Sequence, residues 1–279
     1  MGSTFDLSAV RFGLSGGLHQ PSPAHTRIHQ AGEAGGCLCL LVEEGEAAPI
    51  PEDLSERLLG VMEAAYDASS DEAPEALAAA LRAGNALLFE RNLRADGAHQ
   101  VLAGLQGVAL QDGAFAVGQL GPAALCGVLG GRPLLTPRRA PWLAEDGDEP
   151  AEELPAGLRR SAAPAMYGGR LDAGDWLALV TTNLVQAIPI WDLLPLLAQA
   201  PEEACTRLAP WCGDGEWSAI RIGQPGDGPA DSAGDAHAVT TLPRIAVEAP
   251  AEAAAAPEPA LAEEWAPEDI ALEPPEEVP

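Results

Sequence analysis

Carboxylates and imidazoles are the side chains in this sequence whose spacing could support chemistry. Glu43, Glu44 and Glu46 crowd the end of an apolar run, and hard divalent cations take oxygen ligands of that kind. A single such ion needs several more oxygens than these three residues supply, so the plainer reading is the polar end of a strand. His19, His25 and His29 are spaced by six and four residues, which invites a metal or acid–base role. No paired Cys, Asp or Glu accompanies them, and they read as loop histidines exposed to water. The acidic run Glu145-Asp146-Gly147-Asp148-Glu149 reads as a solvated face rather than a cation site. Cys37, Cys39, Cys126, Cys205 and Cys212 are odd in number, lie in apolar settings and form no C-x-x-C pair, which predicts reduced buried thiols and no zinc. The chain has no P-loop, G-x-G-x-x-G after a strand, or H-E-x-x-H.

The elements that position these residues follow from hydrophobic periodicity. Leu7–Leu14 alternates and Cys37–Val42 is continuously apolar, so both read as strands, the second buried on both faces. Leu54, Leu58, Val61, Met62 and Ala65 share one helical face, as do Leu77, Leu81, Gly84 and Leu88, with Pro51 and Pro74 near the starts. Val101–Leu110, Ala114–Leu120 and Ala123–Leu129 form a meander, the first two joined by the hairpin dipeptide Asp112-Gly113. Residues 137–165 lack periodicity and read as a long surface loop. Trp176–Val180 is a buried strand, Pro189–Ala200 and Pro201–Ala209 are short helices, and Trp217–Ile222 is a closing strand. This order predicts α+β architecture, sheet packed on sheet with helices outside.

With 279 residues and 47% hydrophobic content the chain can bury a substantial core. Its 42 acids face 15 arginines and no lysine, a net charge of -27 that repels nucleic acid and anionic lipid alike. No apolar run is long enough to span a bilayer and no secretory signal opens the chain, so the expected location is the cytoplasm. After Gly223 the composition turns to Pro, Ala, Glu and Asp, with 13 acids against Arg244 alone. Residues 224–279 therefore read as a disordered acidic tail on a domain of residues 1–223. Two places in the tail, Thr240–Val247 and Glu264–Ile270, could be short docking motifs rather than plain linker.

On this order of elements, four motifs resemble those of the PPM-type (protein phosphatase 2C-like) serine/threonine phosphatases. Gly174-Asp175-Trp176-Leu177-Ala178-Leu179-Val180-Thr181-Thr182-Asn183-Leu184 is similar to the family's G-D-x-L-L-L-x-S-D-G-L segment, with Thr182 at the metal-binding aspartate. Gly121 to Gly131 resembles its G-D-S-R-x-Y-L-x-x-D-G strand pair, with Pro122 and Ala124 replacing aspartate and arginine. Leu38–Ala48 resembles the apolar strand before D-G-x-G-G, with Glu44 as the surviving carboxylate. Gly215–Ile220 resembles the closing D-N-x-T strand, with Gly215 at the aspartate and Asp214 one place early. The R-x-x-N-E-D signature expected near Gln20 to His25 is absent.

The resemblance implies a four-layer αββα sandwich over about residues 5–223. In the family two Mn or Mg ions held largely by aspartates generate the attacking hydroxide. Glu44, Pro122, Thr182 and Gly215 at those positions imply no catalytic residues, no bound metal and no other cofactor, hence a pseudophosphatase. The missing arginine removes a bidentate phosphate clamp, for which Arg27 is the one nearby substitute. The expected function is a protein-binding or regulatory module whose partner is a signalling protein, phosphorylated or not. The alternative is a divergent, active phosphoprotein phosphatase binding Mn or Mg through rearranged ligands Glu44, Asp175 and Asp214.

Overall fold

The structure, a computed structural model, describes residues 8–31, 36–45, 49–136, 154–212, 215–223 and 242–247. The chain runs β1 (Ala9–Ser15), β2 (Leu18–Gln20), β3 (Thr26–Ala31), β4 (Gly36–Glu44), α1 (Glu52–Ala68), α2 (Ala73–Asn92), β5 (Ala103–Gln111), β6 (Ala114–Leu120), β7 (Ala124–Leu129), β8 (Arg132–Thr136), β9 (Ala165–Arg170), β10 (Trp176–Val180), α3 (Thr182–Ala187), α4 (Ile190–Leu197), α5 (Pro201–Cys212) and β11 (Trp217–Ile222). One sheet has the order β2-β1-β11-β10-β7-β8, the other β3-β4-β5-β6-β9, and the pairings are antiparallel.

Strand alternation sorts the apolar residues into three cores and so makes four layers. On β4, Leu38, Leu40 and Val42 face α1 and α2, where they meet Leu58, Met62, Leu77 and Leu81. Cys37, Cys39 and Leu41 face the other way and meet Leu177, Leu179, Ile220 and Ile222 of the opposite sheet. Trp176, Ala178 and Val180, on the outer face of β10, are covered by Leu184, Leu193 and Leu208 of α3, α4 and α5. The observed architecture is the αββα sandwich that the resemblance implies, with sheet packed on sheet and helices outside as the order of elements predicts.

Two details explain how closely the layers approach. Gly107 and Gly118 are directly paired across β5 and β6, and an added Cβ would stand 2.9 Å from Leu77 Cδ1 at the first and 2.5 Å from Leu81 Cδ1 at the second. The pair is a notch that receives α2. Asp112 and Gly113, at φ 51° and 75°, make the predicted hairpin with the positive angles that two-residue turns require.

Three readings change. The histidine segment is not an open loop: His19 lies in β2 and His29 in β3, with His25 just before β3. These strands are too short and polar to alternate visibly, and they form by pairing with β1 and β4. β9 (Ala165–Arg170) begins where the expected loop of residues 137–165 ends and is not among the expected strands, because Gly168 and Gly169 hide its pattern. Finally, residues 242–247 lie against the outer edge of β9. Ile245 N donates to Met166 O at 2.8 Å, Tyr167 and Arg244 form a β-bridge, and Ile245 and Val247 pack on the helix-side core. The packed unit thus reaches Val247, past residue 223. Glu46, Glu145–Glu149, Asp214 and Glu264–Ile270 lie outside the described residues. Among the described residues no helix is long and apolar enough to cross a membrane.

Candidate functional site

A cleft of about 1100 Å³ opens at the end of the sandwich where β4 and β10 finish and β5, β7 and β11 begin. Its lining includes Glu43, Glu44, Pro122, Thr182 and Glu216, which brings together the regions of all four motifs.

Strand parity decides which glutamate enters it. Glu43 continues the face of Cys37, Cys39 and Leu41 and points across the sandwich, whereas Glu44 continues the helix-side face. Glu43 Oε1 accepts from the backbone N of Thr182 at 2.8 Å and from the Thr182 hydroxyl. Glu44 Oε1 instead accepts from Ile50 N at 2.8 Å, ordering the approach to α1. Glu43, not Glu44, is therefore the carboxylate opposite Thr182. Counting alternate positions from Cys37 would have identified it; aligning on the residue before a glycine did not.

Glu43 is 8% exposed, and its Oε2 has no hydrogen-bond partner. Burial pushes its carboxyl up to about 7 against the two bonds from Thr182, which favour the charged form. The polar groups beside it largely satisfy one another. Thr181 Oγ1 donates to Asn183 Oδ1 at 2.7 Å, Asn183 Nδ2 donates to the Glu216 carbonyl at 2.6 Å, and Ser15 Oγ donates to Glu216 Oε1. Gln106 Nε2 donates to Val180 O at 2.9 Å and Gln119 Nε2 to Thr136 O at 3.3 Å, so the same inter-sheet face carries two further polar ties between the sheets.

Among the described residues, the cleft carboxylates do not gather as a group of three around one point, as a metal centre would need. Glu43 Oε1 is held by Thr182, Glu44 Oε1 by Ile50 and Glu216 Oε1 by Ser15, while Pro122 and Gly215 offer no side-chain oxygen. Among the described residues, one group of three or more His, Cys, Asp or Glu side chains has ligand atoms all within 4.8 Å: His29, Glu63 and Asp67. That group sits outside the cleft, between β3 and α1. His29 Nδ1 lies 3.2 Å from Glu63 and Nε2 3.0 Å from Asp67, so both ring nitrogens face carboxylates. The acidic partners that the sequence did not place beside the histidines come from α1, 34 and 38 positions along.

The remaining candidates scatter. Asp175 is as buried as Glu43 at 8% exposed, but it stands at the start of β10, the whole strand away from Thr181, roughly 20 Å at about 3.3 Å per residue. Its Oδ1 accepts from Gly130 N at 2.7 Å and its Oδ2 from Asp172 N at 3.0 Å, so it clamps the turn between β7 and β8. Glu44 and Asp175 are thus not brought together as ligands. Arg27 donates to Glu63 at 2.9 Å and to Glu56, on the α1 side rather than in the cleft. His25 lines the cleft, with Nδ1 2.8 Å from Ser55 Oγ.

No family model matches this sequence, and no curated protein matches it significantly. Solved structures do. The S. agalactiae serine/threonine phosphatase superposes with a TM-score of 0.62 at 14% identity, covering 78% of this chain and 99% of that one. PppA, described as a key regulatory component of T6SS in Pseudomonas aeruginosa, gives 0.58 at 16% identity over 78% of this chain and 97% of that one. The serine/threonine phosphatase Stp1 from Staphylococcus aureus gives 0.61 at 13% identity over 81% and 97%. At these identities the likeness is one of fold.

Proposed function

We propose that this chain, which has the fold of the PPM-type serine/threonine phosphatases, works as a non-catalytic protein-binding or regulatory module in cytoplasmic phospho-signalling. The observation that supports this reading is the hydrogen-bonded pair Glu43–Thr182 in the cleft. A protein-anchored carboxylate and a neutral hydroxyl stand where a metal-dependent hydrolase needs converging negative oxygens. The cleft remains open at about 1100 Å³, enough for a ligand. The partner would be a signalling protein, docked through the cleft and its rim.

Titration calorimetry of Mn²⁺ and Mg²⁺ into the full chain, run beside a p-nitrophenyl phosphate assay, tests the reading. The expected outcome is no turnover with either ion. Metal-dependent turnover that disappears in Glu43→Ala would overturn it and restore an active phosphatase with a rearranged ligand set.

A further inference from the structure

Building on the cleft as a binding site, we propose that it receives the guanidinium of an arginine side chain presented by a partner polypeptide. The lining carries four carboxylates, Glu43, Glu44, Glu52 and Glu216, and among the described residues no arginine or lysine. Phosphate-binding sites recruit arginine forks; this cleft has the opposite charge.

A second observation is independent of that charge count. Glu43 is more than nine-tenths buried, lines the cleft, and has an oxygen, Oε2, with no partner. An unmet buried acceptor costs about 1–3 kcal/mol, which a donor arriving from the cleft would recover. Burial also holds this carboxyl up at about 7, and an adjacent cation would favour its charged form.

The shape of the donor set selects the class of cation. A bare divalent ion needs ligand atoms gathered around one point, and the cleft carboxylates do not form such a group. An ammonium is compact and strongly hydrated, which suits a cleft walled by Pro23, Val42, Leu102 and Pro122 poorly. A guanidinium distributes five N–H donors over a plane and is weakly hydrated, so it can reach separated carboxylates along an apolar wall. The cleft also exceeds one side chain in volume, leaving room for the residues that flank the arginine.

The test is calorimetric titration of the full chain with acetyl-Ala-Ala-Arg-Ala-Ala-amide and with the same peptide carrying citrulline, lysine or phosphoserine in place of arginine. MnCl₂ alone serves as the metal arm. The arginine peptide is expected to bind at least tenfold more tightly than the citrulline peptide, which has the same shape without the charge. Glu43→Gln should weaken it at least fivefold. So should Glu52→Gln, an exposed position at the start of α1 whose change leaves the packing intact; this second variant keeps the test decisive if the first fails to fold. Equal affinity for arginine and citrulline, no binding of the arginine peptide, or heat from MnCl₂ with none from the peptide overturns the proposal. Tighter binding of the phosphoserine peptide also overturns it, but leaves the binding-module reading standing. Phosphatase turnover would overturn that reading instead.

Discussion

Glu43 and Asp175 are equally buried acids at opposite ends of the sandwich, and their surroundings differ in one respect. Asp175 has both oxygens occupied by backbone donors, Gly130 N and Asp172 N. Glu43 has one oxygen occupied by Thr182 and the other without a partner. A carboxylate with both oxygens occupied closes a turn. One left half-used beside an open cleft is costly to keep unless something comes to meet it. Burial alone therefore does not separate these two acids, and neither does the number of donors, which is two for each; how the donors are shared between the two oxygens does.

The strongest way to break the comparison is at the saturated end. Asp175→Ala strands two backbone donors and should lower stability by about 2–4 kcal/mol, read from the midpoint and slope of urea unfolding. Asp175→Asn keeps one good acceptor and should lose about half as much. If Asp175→Ala costs under about 0.5 kcal/mol, the turn does not depend on this clamp.

The next effect sharpens the contrast through pH. The Glu43 carboxyl lies near 7 when folded, against an ordinary 4.5, so between those values the folded chain holds a proton the unfolded chain has released. Its contribution is fully present below about pH 4.5 and is lost as pH rises through about 7. Glu43→Gln cannot ionise. The variant should match the parent at pH 4 and exceed it by up to about 3 kcal/mol at pH 8, on the order set by the shift. Parallel unfolding curves with a constant gap at both pH values would show that Glu43 is ionised throughout.

A smaller change probes the tie itself. Thr182→Val removes the hydroxyl donor but leaves the backbone N–H, so it should cost about 1 kcal/mol and move the Glu43 titration further upward, visible in the side-chain carboxyl carbon resonance. The smallest effect is expected on the α1 side. Arg27→Ala breaks the partly exposed pairs with Glu56 and Glu63 and should cost under about 1 kcal/mol, shrinking further in added salt.

Much of this fold is legible in the chain. Ala114–Leu120, Trp176–Val180 and Trp217–Ile222 fall where alternation or an apolar run puts them, and α1 and α2 follow their apolar stripes. Asp112-Gly113 makes its turn because two residues suffice to set the backbone angles. Such features are local, and local sequence carries their physical cause. β2, β3 and β9 were illegible because their strand character comes from neighbours in the sheet. Residues 242–247 look like tail by composition and are held by the edge of β9.

The candidate site divides in the same way. Sequence by itself placed Thr182, Pro122 and Gly215 in stretches that resemble phosphatase motifs, and Glu43 and Glu44 at the end of an apolar run. Only the tertiary structure decided that Glu43 meets Thr182 across 139 positions, that Asp175 is spent on a turn, and that His29 faces Glu63 and Asp67. The reason is geometric. Parity within a strand fixes the face a side chain takes, but what stands opposite that face is set by how two sheets pack.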